Sequence, residues 1–392
     1  MPTAKRGTWF ALIVVALGAA SGIGLAEAVA RIAFPLPTRH YVWPPDATLE
    51  FKPDLGVLPG ASPLSRYRTN AWGVRGRPVE DDGAYRILMI GGSAVECVYL
   101  DQPKSFPALI EQKFNTRPGG RRVWVGNAAK SGLNSQDHVQ ELRNLLIDLP
   151  RIDAVVVMTG VNDVSATLRD DPAEAARPVP EATLLARIYY AYPERSAHAP
   201  FFKRTGLWQL ARRIGLAEEK LFPPPQLLAD WTGRAIRTWR EHRRSASRIR
   251  ETPPDLAPAL AAHRRDMSEM IAIARARGSR IVLVTQPALW RADLPPDLAR
   301  RLWLGGVGPF MEETGHEYYS PGALAKALDA FNSVLLDEAR ARGAETFDLA
   351  VALSGDGSVF FDDCHVTESG SARVADLLAG YLSPIPVKVP IN

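Results

Sequence analysis

Five short apolar runs recur after residue 84: RILMIGG (86–92), RVWVGN (122–127), DAVVVMTG (153–160), RIVLVTQ (280–286) and ETFDLA (345–350). Their nearly unbroken apolar character and β-branched content predict strands buried on both faces. Between them, apolar positions fall at helical spacing in SFPALIEQKFN (105–115), SQDHVQELRNLLIDL (135–149), PDLAPALAAHRRDMSEMIAIARARG (254–278) and PGALAKALDAFNSVLLDEARARG (321–343). The last two stop at Gly278 and Gly343, as helices commonly do. Strands alternating with helices predict an α/β fold, an open and largely parallel sheet with helices on both faces. Function in such a sheet is expected at the carboxyl ends of the strands.

Two stretches depart from the alternation. About a hundred residues, Leu168 to Arg277, separate the third and fourth runs and predict a helical insertion, about 168–277. Within it GRAIRTWREHRRSASRIR (233–250) carries seven arginines against one glutamate. Arg237, Arg240, Arg244 and Arg248 recur every three or four residues, which predicts one face of a helix. Such a face is either solvated or a patch for lipid headgroups or an anionic glycan. Residues 35–84 are proline-rich, with PLPTRHYVWPPD followed by SRYRTNAWGVRGRP, and predict a linker with short extended pieces.

At the N-terminus Lys5 and Arg6 precede an uncharged run of 20 residues, Gly7 to Ala26. As a helix it would span roughly 30 Å, one bilayer core, with the basic flank on the cytoplasmic side. This predicts a single-pass inner-membrane anchor with the remainder extracytoplasmic, or, given the small-x-small site Ala26-Glu27-Ala28, a cleaved signal and a secreted product. The expected organisation is an anchor or signal at 1–34, the linker at 35–84 and one catalytic domain at 85–385.

The 392 residues are 46% hydrophobic and 23% charged, enough for a large core and unlike a disordered chain. A net charge of +4, spread throughout, gives no basis for a nucleic-acid partner. Two cysteines exclude a disulfide scaffold but allow one bridge.

Chemistry-bearing residues follow the strand runs. Gly91, Gly92 and Ser93 end the first, and SAVE opens a helix. Gly132 lies in GNAAKSGLNSQD after the second, Gly160, Asn162 and Asp163 in TGVNDVSA after the third, and Asp362 and His365 in FFDDCHVTESG near the C-terminus. Ser93 can attack a carbonyl if an imidazole takes its proton, and His365 titrates in the right range. Asp362, three residues earlier, can fix the His365 tautomer; the adjacent Asp363 is expected to point elsewhere. The N–H groups of Ser93 and Gly132 and the Asn162 amide are candidate oxyanion donors. A phosphate-binding turn is excluded at Ser93, because neither G-x-G-x-x-G nor a P-loop lysine is present.

This ordered set resembles the SGNH hydrolases, the GDSL family of lipases and esterases. Gly91-Gly92-Ser93 matches the nucleophile block, Gly132 the oxyanion glycine, Gly160-x-Asn162-Asp163 the Gly-x-Asn-Asp block and Asp362-x-x-His365 the terminal block. The resemblance covers roughly Tyr85 to Leu382 without the insertion, and YRTNAWGVRG (67–76) resembles a membrane-anchored bacterial branch. It implies a flavodoxin-like, three-layer α/β/α domain with five parallel strands in the order 2-1-3-4-5. It also implies hydrolysis or transfer of an ester-linked acyl group through an acyl-serine, with no metal and no cofactor. One departure stands out: Gly92 occupies the position of the family's usual aspartate, a structural neighbour of the triad.

The resemblance also brings Cys97, one helical turn past Ser93, towards Cys364 beside His365, so these two form either a disulfide or two buried free thiols. Three functions fit: an esterase acting on an acylated, plausibly O-acetylated, glycan or small ester; an O-acyltransferase using the same triad; and a decayed, glycan-binding relative. Aromatic residues after the fourth run, Trp290, Tyr318 and Tyr319, either line a pocket or pack. Substrate and oligomeric state are not encoded in any motif.

Overall fold

A computed structural model describes residues 3–33, 36–117, 120–193, 200–211, 214 and 233–383. Parts of the expected anchor, linker and insertion (1–2, 34–35, 194–199, 212–213, 215–232) and the domain end at 384–385 lie outside these.

In chain order the strands are β1 (Thr48–Phe51), β2 (Ser65–Arg68), β3 (Tyr85–Gly91), β4 (Val123–Asn127), β5 (Ala154–Thr159), β6 (Arg248–Arg250), β7 (Arg280–Thr285), β8 (Glu317–Tyr319) and β9 (Glu345–Phe347). The five apolar runs are β3, β4, β5, β7 and β9, and they form one parallel sheet in the order β4-β3-β5-β7-β9. That is the expected 2-1-3-4-5 arrangement. Every residue of β4 and β5 is buried, as continuous apolar strands in a covered parallel sheet require.

The helix Phe106–Asn115 packs with Glu368–Leu382, and Ala257–Ala276 packs with both Ser135–Asp148 and Pro321–Ala341. The second group shows that Ala257–Ala276, included in the expected insertion, is a crossover helix of the core and also packs on β7.

The chain divides into two compact units, Met1–His40 with Ala191–Leu227, and Tyr41–Tyr190 with Leu228–Asn392. In the first, the helix Thr3–Ala33 contains Trp9–Ala33, 25 residues of mean hydropathy 2.1, long and apolar enough to cross a membrane. Glu27 on this helix accepts the N–H groups of Gly206 and Leu207 at 2.8 and 3.0 Å and pairs with Arg31 at 2.6 Å. The second unit holds the sheet and all candidate site residues.

Two expectations change here. Residues 41–84, read as linker, belong to the second unit: β1 and β2 pair antiparallel, and Arg75 bridges Asn127 at the end of β4. The arginine helix spans Arg234–Arg244 only, so Arg248 leaves its face and sits in β6, parallel to β8. Ser247 donates its N–H to the His316 carbonyl, starting this pairing where a longer helix would have continued.

Candidate active site

Ser93 begins the short helix Ser93–Glu96 directly after β3, with Gly92 as its N-cap in extended conformation. Its own N–H therefore lies at a helix N-terminus, where the dipole favours developing negative charge. Ser93 and His365 line one small pocket together with Ala94, Cys97, Val98, Tyr99, Leu100, Phe361 and Val366.

The candidate acid–base half of the site comes from the loop before the helix Glu368–Leu382. His365 Nδ1 lies 2.7 Å from Asp362 Oδ2, and Asp362 Oδ1 accepts the N–H groups of Cys364 and His365 at 3.1 and 2.9 Å. Asp362 is fully buried and His365 nearly so, with its ring stacked on Phe361 at 5.8 Å and edge-on to Tyr99 at 6.2 Å. Burial opposes charge on Asp362, yet the imidazole and these hydrogen bonds hold its carboxyl below the usual range. For His365, burial alone would lower the pKa; the Asp362 charge and hydrogen bond outweigh it and raise it.

Asp363 points away from the imidazole, as expected for an adjacent residue. It accepts Trp290 Nε1 at 2.8 Å and the N–H groups of Trp303 and Leu304 at 2.8 and 3.2 Å. Burial, and then the Asp362 charge, push its carboxyl up. Trp290, Tyr318 and Tyr319 are buried packing residues.

Gly132 has φ +81°, a left-handed conformation that favours glycine, and a Cβ there would meet nothing within 4 Å. Its loop is fixed on both sides. Glu96, buried, accepts the N–H and hydroxyl of Ser131, and the capping box of Asn134 and Asp137 opens the helix Ser135–Asp148. Burial pushes the Glu96 carboxyl up, against the Ser131 bonds.

Asn162 follows Gly160, the N-cap of Val161–Arg169 at φ +143°, and donates Nδ2 to the Leu133 carbonyl at 2.7 Å. An amide nitrogen carries two N–H groups, so this bond orients the side chain and leaves a donor. The amide nitrogen occupies the space a Cβ on Gly92 would need. A side chain at position 92 would meet this amide group first.

Asp163 holds the scaffold beneath, accepting the Ser135 N–H at 3.1 Å, the Ser135 hydroxyl at 2.6 Å and the Thr159 hydroxyl at 2.9 Å. Burial works against its charge, but His263 and Ser135 prevail and its pKa falls to about 2. The same Ser135 hydroxyl is 2.7 Å from Asp266 Oδ2. A hydroxyl has one proton, so both contacts are hydrogen bonds when Asp266 is protonated and donates to this oxygen. Burial raises the Asp266 pKa to about 6 accordingly.

Of the two alternatives left open for Cys97 and Cys364, the structure has the free thiols. Both are free, buried thiols, and Cys97 Sγ donates back to the Ala94 carbonyl at 3.3 Å. Burial pushes the Cys97 thiol up to about 12; burial and the carboxylates of Asp362 and Asp363 drive Cys364 well above the ordinary thiol range. Cys97 lies at φ +53°, ending its helix.

Several supporting residues lie outside the four family blocks. Arg75, from YRTNAWGVRG, is buried and donates to the carbonyls of Glu96, Cys97 and Leu100 and to Gln102, with its guanidinium 4.4 Å from the Tyr67 ring. Arg240 donates to the carbonyls of Val57, Arg301 and Phe361, at 2.6, 2.8 and 3.0 Å. Arg243 donates to the carbonyls of Leu304 and Tyr319. The arginine face is therefore partly an internal brace.

Comparison with solved structures finds an acetylxylan esterase of Geobacillus stearothermophilus at 13% identity, covering 79% of this chain and 99% of that one, TM-score 0.40. A lipase/acylhydrolase of Enterococcus faecalis shows 14% identity, 78% and 99% coverage and TM-score 0.40. A GDSL-like lipase of Bacteroides thetaiotaomicron VPI-5482 shows 12%, 76% and 87%, with TM-score 0.37. No curated protein matches by sequence. The family model described as GDSL-like Lipase/Acylhydrolase matches residues 89–373, from within β3 to the last helix, most of the chain. The chain belongs to the GDSL-like lipase/acylhydrolase family of ester hydrolases.

Proposed function

We propose that the protein is a serine esterase in which Ser93 is the nucleophile, His365 the general base and Asp362 its orienting carboxylate. The observation that carries this reading is the Asp362–His365 pair at 2.7 Å, with His365 sharing a pocket with Ser93. His365 Nε2 takes the Ser93 proton as Oγ bonds to the ester carbonyl carbon. The oxyanion is held by the N–H groups of Ser93 and Gly132 and by the Asn162 amide. Collapse breaks the bond to the alcohol, which leaves with the proton from His365. Water, deprotonated by His365, then cleaves the acyl-serine, releasing the acid and restoring Ser93.

The pocket beside Ser93 and His365 holds about 10 Å³, room for about one water- or methyl-sized group, within mostly apolar walls. This supports a short acyl group such as acetyl, esterified to a glycan or small alcohol. The basic flank Lys5-Arg6 before the apolar helix supports a membrane tether with the catalytic unit extracytoplasmic.

The test is turnover of p-nitrophenyl acetate by the full chain in detergent. Turnover in wild type, lost in Ser93→Ala, is expected; equal rates in the two, with no labelling of Ser93 by a fluorophosphonate, would overturn the reading.

A further inference from the structure

Asp362 carries more than the catalytic imidazole. Its Oδ2, already paired with His365 Nδ1 at 2.7 Å, also accepts the indole Nε1–H of Trp303 at 3.1 Å. With the two backbone donors on Oδ1, each carboxylate oxygen receives two hydrogen bonds. We propose that Trp303 is a positioning residue for the reaction: its indole N–H shares Asp362 Oδ2 with His365 and thereby sets how strongly the carboxylate holds the imidazolium.

Trp303 is fixed from three sides. Its backbone N–H and that of Leu304 are bound by the Asp363 carboxylate. Its ring lies against Trp239 at 4.6 Å between centroids, tilted by 34°. Arg243 holds the Leu304 carbonyl just beyond it, and Arg240 holds the Phe361 carbonyl just before Asp362. Trp239, Arg240 and Arg243 all belong to the helix Arg234–Arg244. The arginine-rich segment therefore acts on the site by clamping the two loops that carry Trp303 and Asp362.

The physical consequence has a definite sign. A hydrogen bond to a carboxylate stabilises its charge and draws electron density away from its other partner. The indole thus weakens the pull of Asp362 on imidazolium and keeps the His365 pKa lower than Asp362 alone would set it. The other groups bearing on His365 are the carboxylates of Asp363 and Glu96, with the Cys364 thiol beside it; Arg240 and Arg243 face the aspartate pair. None of these donates to Asp362 Oδ2 among the described residues.

The proposal rests on the triad reading above, and the pH dependence of kcat/KM in the full chain separates the two. Trp303→Phe keeps an aromatic ring against Trp239 and removes the donor. Its acid-limb midpoint should rise by roughly half a unit to one unit, with kcat on the alkaline plateau nearly retained. Trp124→Phe, whose indole donates to the Arg77 carbonyl and touches neither Asp362 nor Trp303, should leave the midpoint in place. A Trp303→Phe midpoint equal to wild type, or an equal shift in Trp124→Phe, overturns the proposal. Loss of Ser93-dependent turnover in the parent enzyme would instead remove the triad reading.

If Trp303→Phe does not fold, wild-type chain labelled with 15N-tryptophan gives a second readout. One indole signal, close to the His365 Nδ1 proton, should titrate with the activity midpoint. No indole signal doing so also overturns the proposal.

Discussion

The side-chain amide of Asn162 stands where Gly92 would carry a Cβ, well inside the 3.0 Å that real Cβ contacts keep. A side chain at position 92 would therefore have to push aside the Asn162 amide group, the proposed oxyanion donor. Gly92→Ala and Gly92→Asp should each displace that amide and lower kcat by roughly a hundredfold, the order found when one oxyanion donor is lost. KM should change far less. Steady-state kinetics beside Asn162→Ala, which should lose a similar factor, checks this.

His365 accepts a proton only when neutral, so kcat/KM should fall as pH drops through its pKa. Because Asp362 raises that pKa above the ordinary 6.5, the acid-limb midpoint should lie above this value. Asp362→Asn removes the charge, moves the midpoint down and costs about ten-thousand-fold in kcat. A wild-type midpoint below 6.5 would contradict the electrostatic assignment.

Ser135 gives the fold an opposed pair of titrations. Asp163, depressed to about 2, contributes stability that is present above the unfolded carboxylate pKa and lost as pH falls towards 2. Asp266, raised to about 6, binds its proton more tightly in the folded chain, so its contribution is present below the unfolded value and lost as pH rises through 6. Asp266→Asn keeps a donor to Ser135 without a charge to bury. It should stabilise the protein at pH 8 by on the order of 2 kcal/mol and leave it nearly unchanged at pH 4. Denaturant midpoints at the two pH values read the difference.

Arg75 satisfies three backbone carbonyls around the end of the helix Ser93–Glu96. Arg75→Met leaves them buried without a donor and should destabilise the fold by roughly 3 kcal/mol. A denaturation midpoint unchanged from wild type would show that water replaces the guanidinium there.

Two free thiols at the site imply that reductant should not alter the melting temperature. Neither Cys97 nor Cys364 should react with iodoacetamide at pH 8 until the chain is unfolded, because burial keeps both protonated. Mass spectrometry of alkylated protein, with and without denaturant, measures this.

The sheet was legible because β3, β4, β5, β7 and β9 are nearly continuous in apolar residues, a pattern that survives without tertiary knowledge. The candidate site was legible because Ser93, Gly132 and Asn162 each follow a strand, where the topology gathers them. Its supports were not. An arginine destined to be buried looks like a solvated one, since its partners are carbonyls of loops far along the chain, such as Val57 and Phe361 for Arg240. Asp363 and Trp303 depend likewise on a pairing 60 residues apart in sequence. The state of the cysteines was not legible for a different reason: a place beside Ser93 and one beside His365 in sequence does not fix where two sulfurs point. Arg248 kept helical spacing after Arg244, yet strand pairing with Glu317 took precedence.

The hydrogen bonds between Arg75 and Asn127 also bear on where an autonomous folding unit begins. Asn127 gives its N–H to the Arg75 carbonyl and takes the Arg75 N–H in return, while its side chain holds the Val95 carbonyl behind Ser93. A polypeptide trimmed to start at Tyr85 would retain all four family blocks and lose the strand-edge partner and the guanidinium that hold the helix of Ser93, the proposed nucleophile. The shortest stretch able to fold and turn over substrate must therefore reach upstream of the recognisable domain, into residues whose sequence reads as spacer.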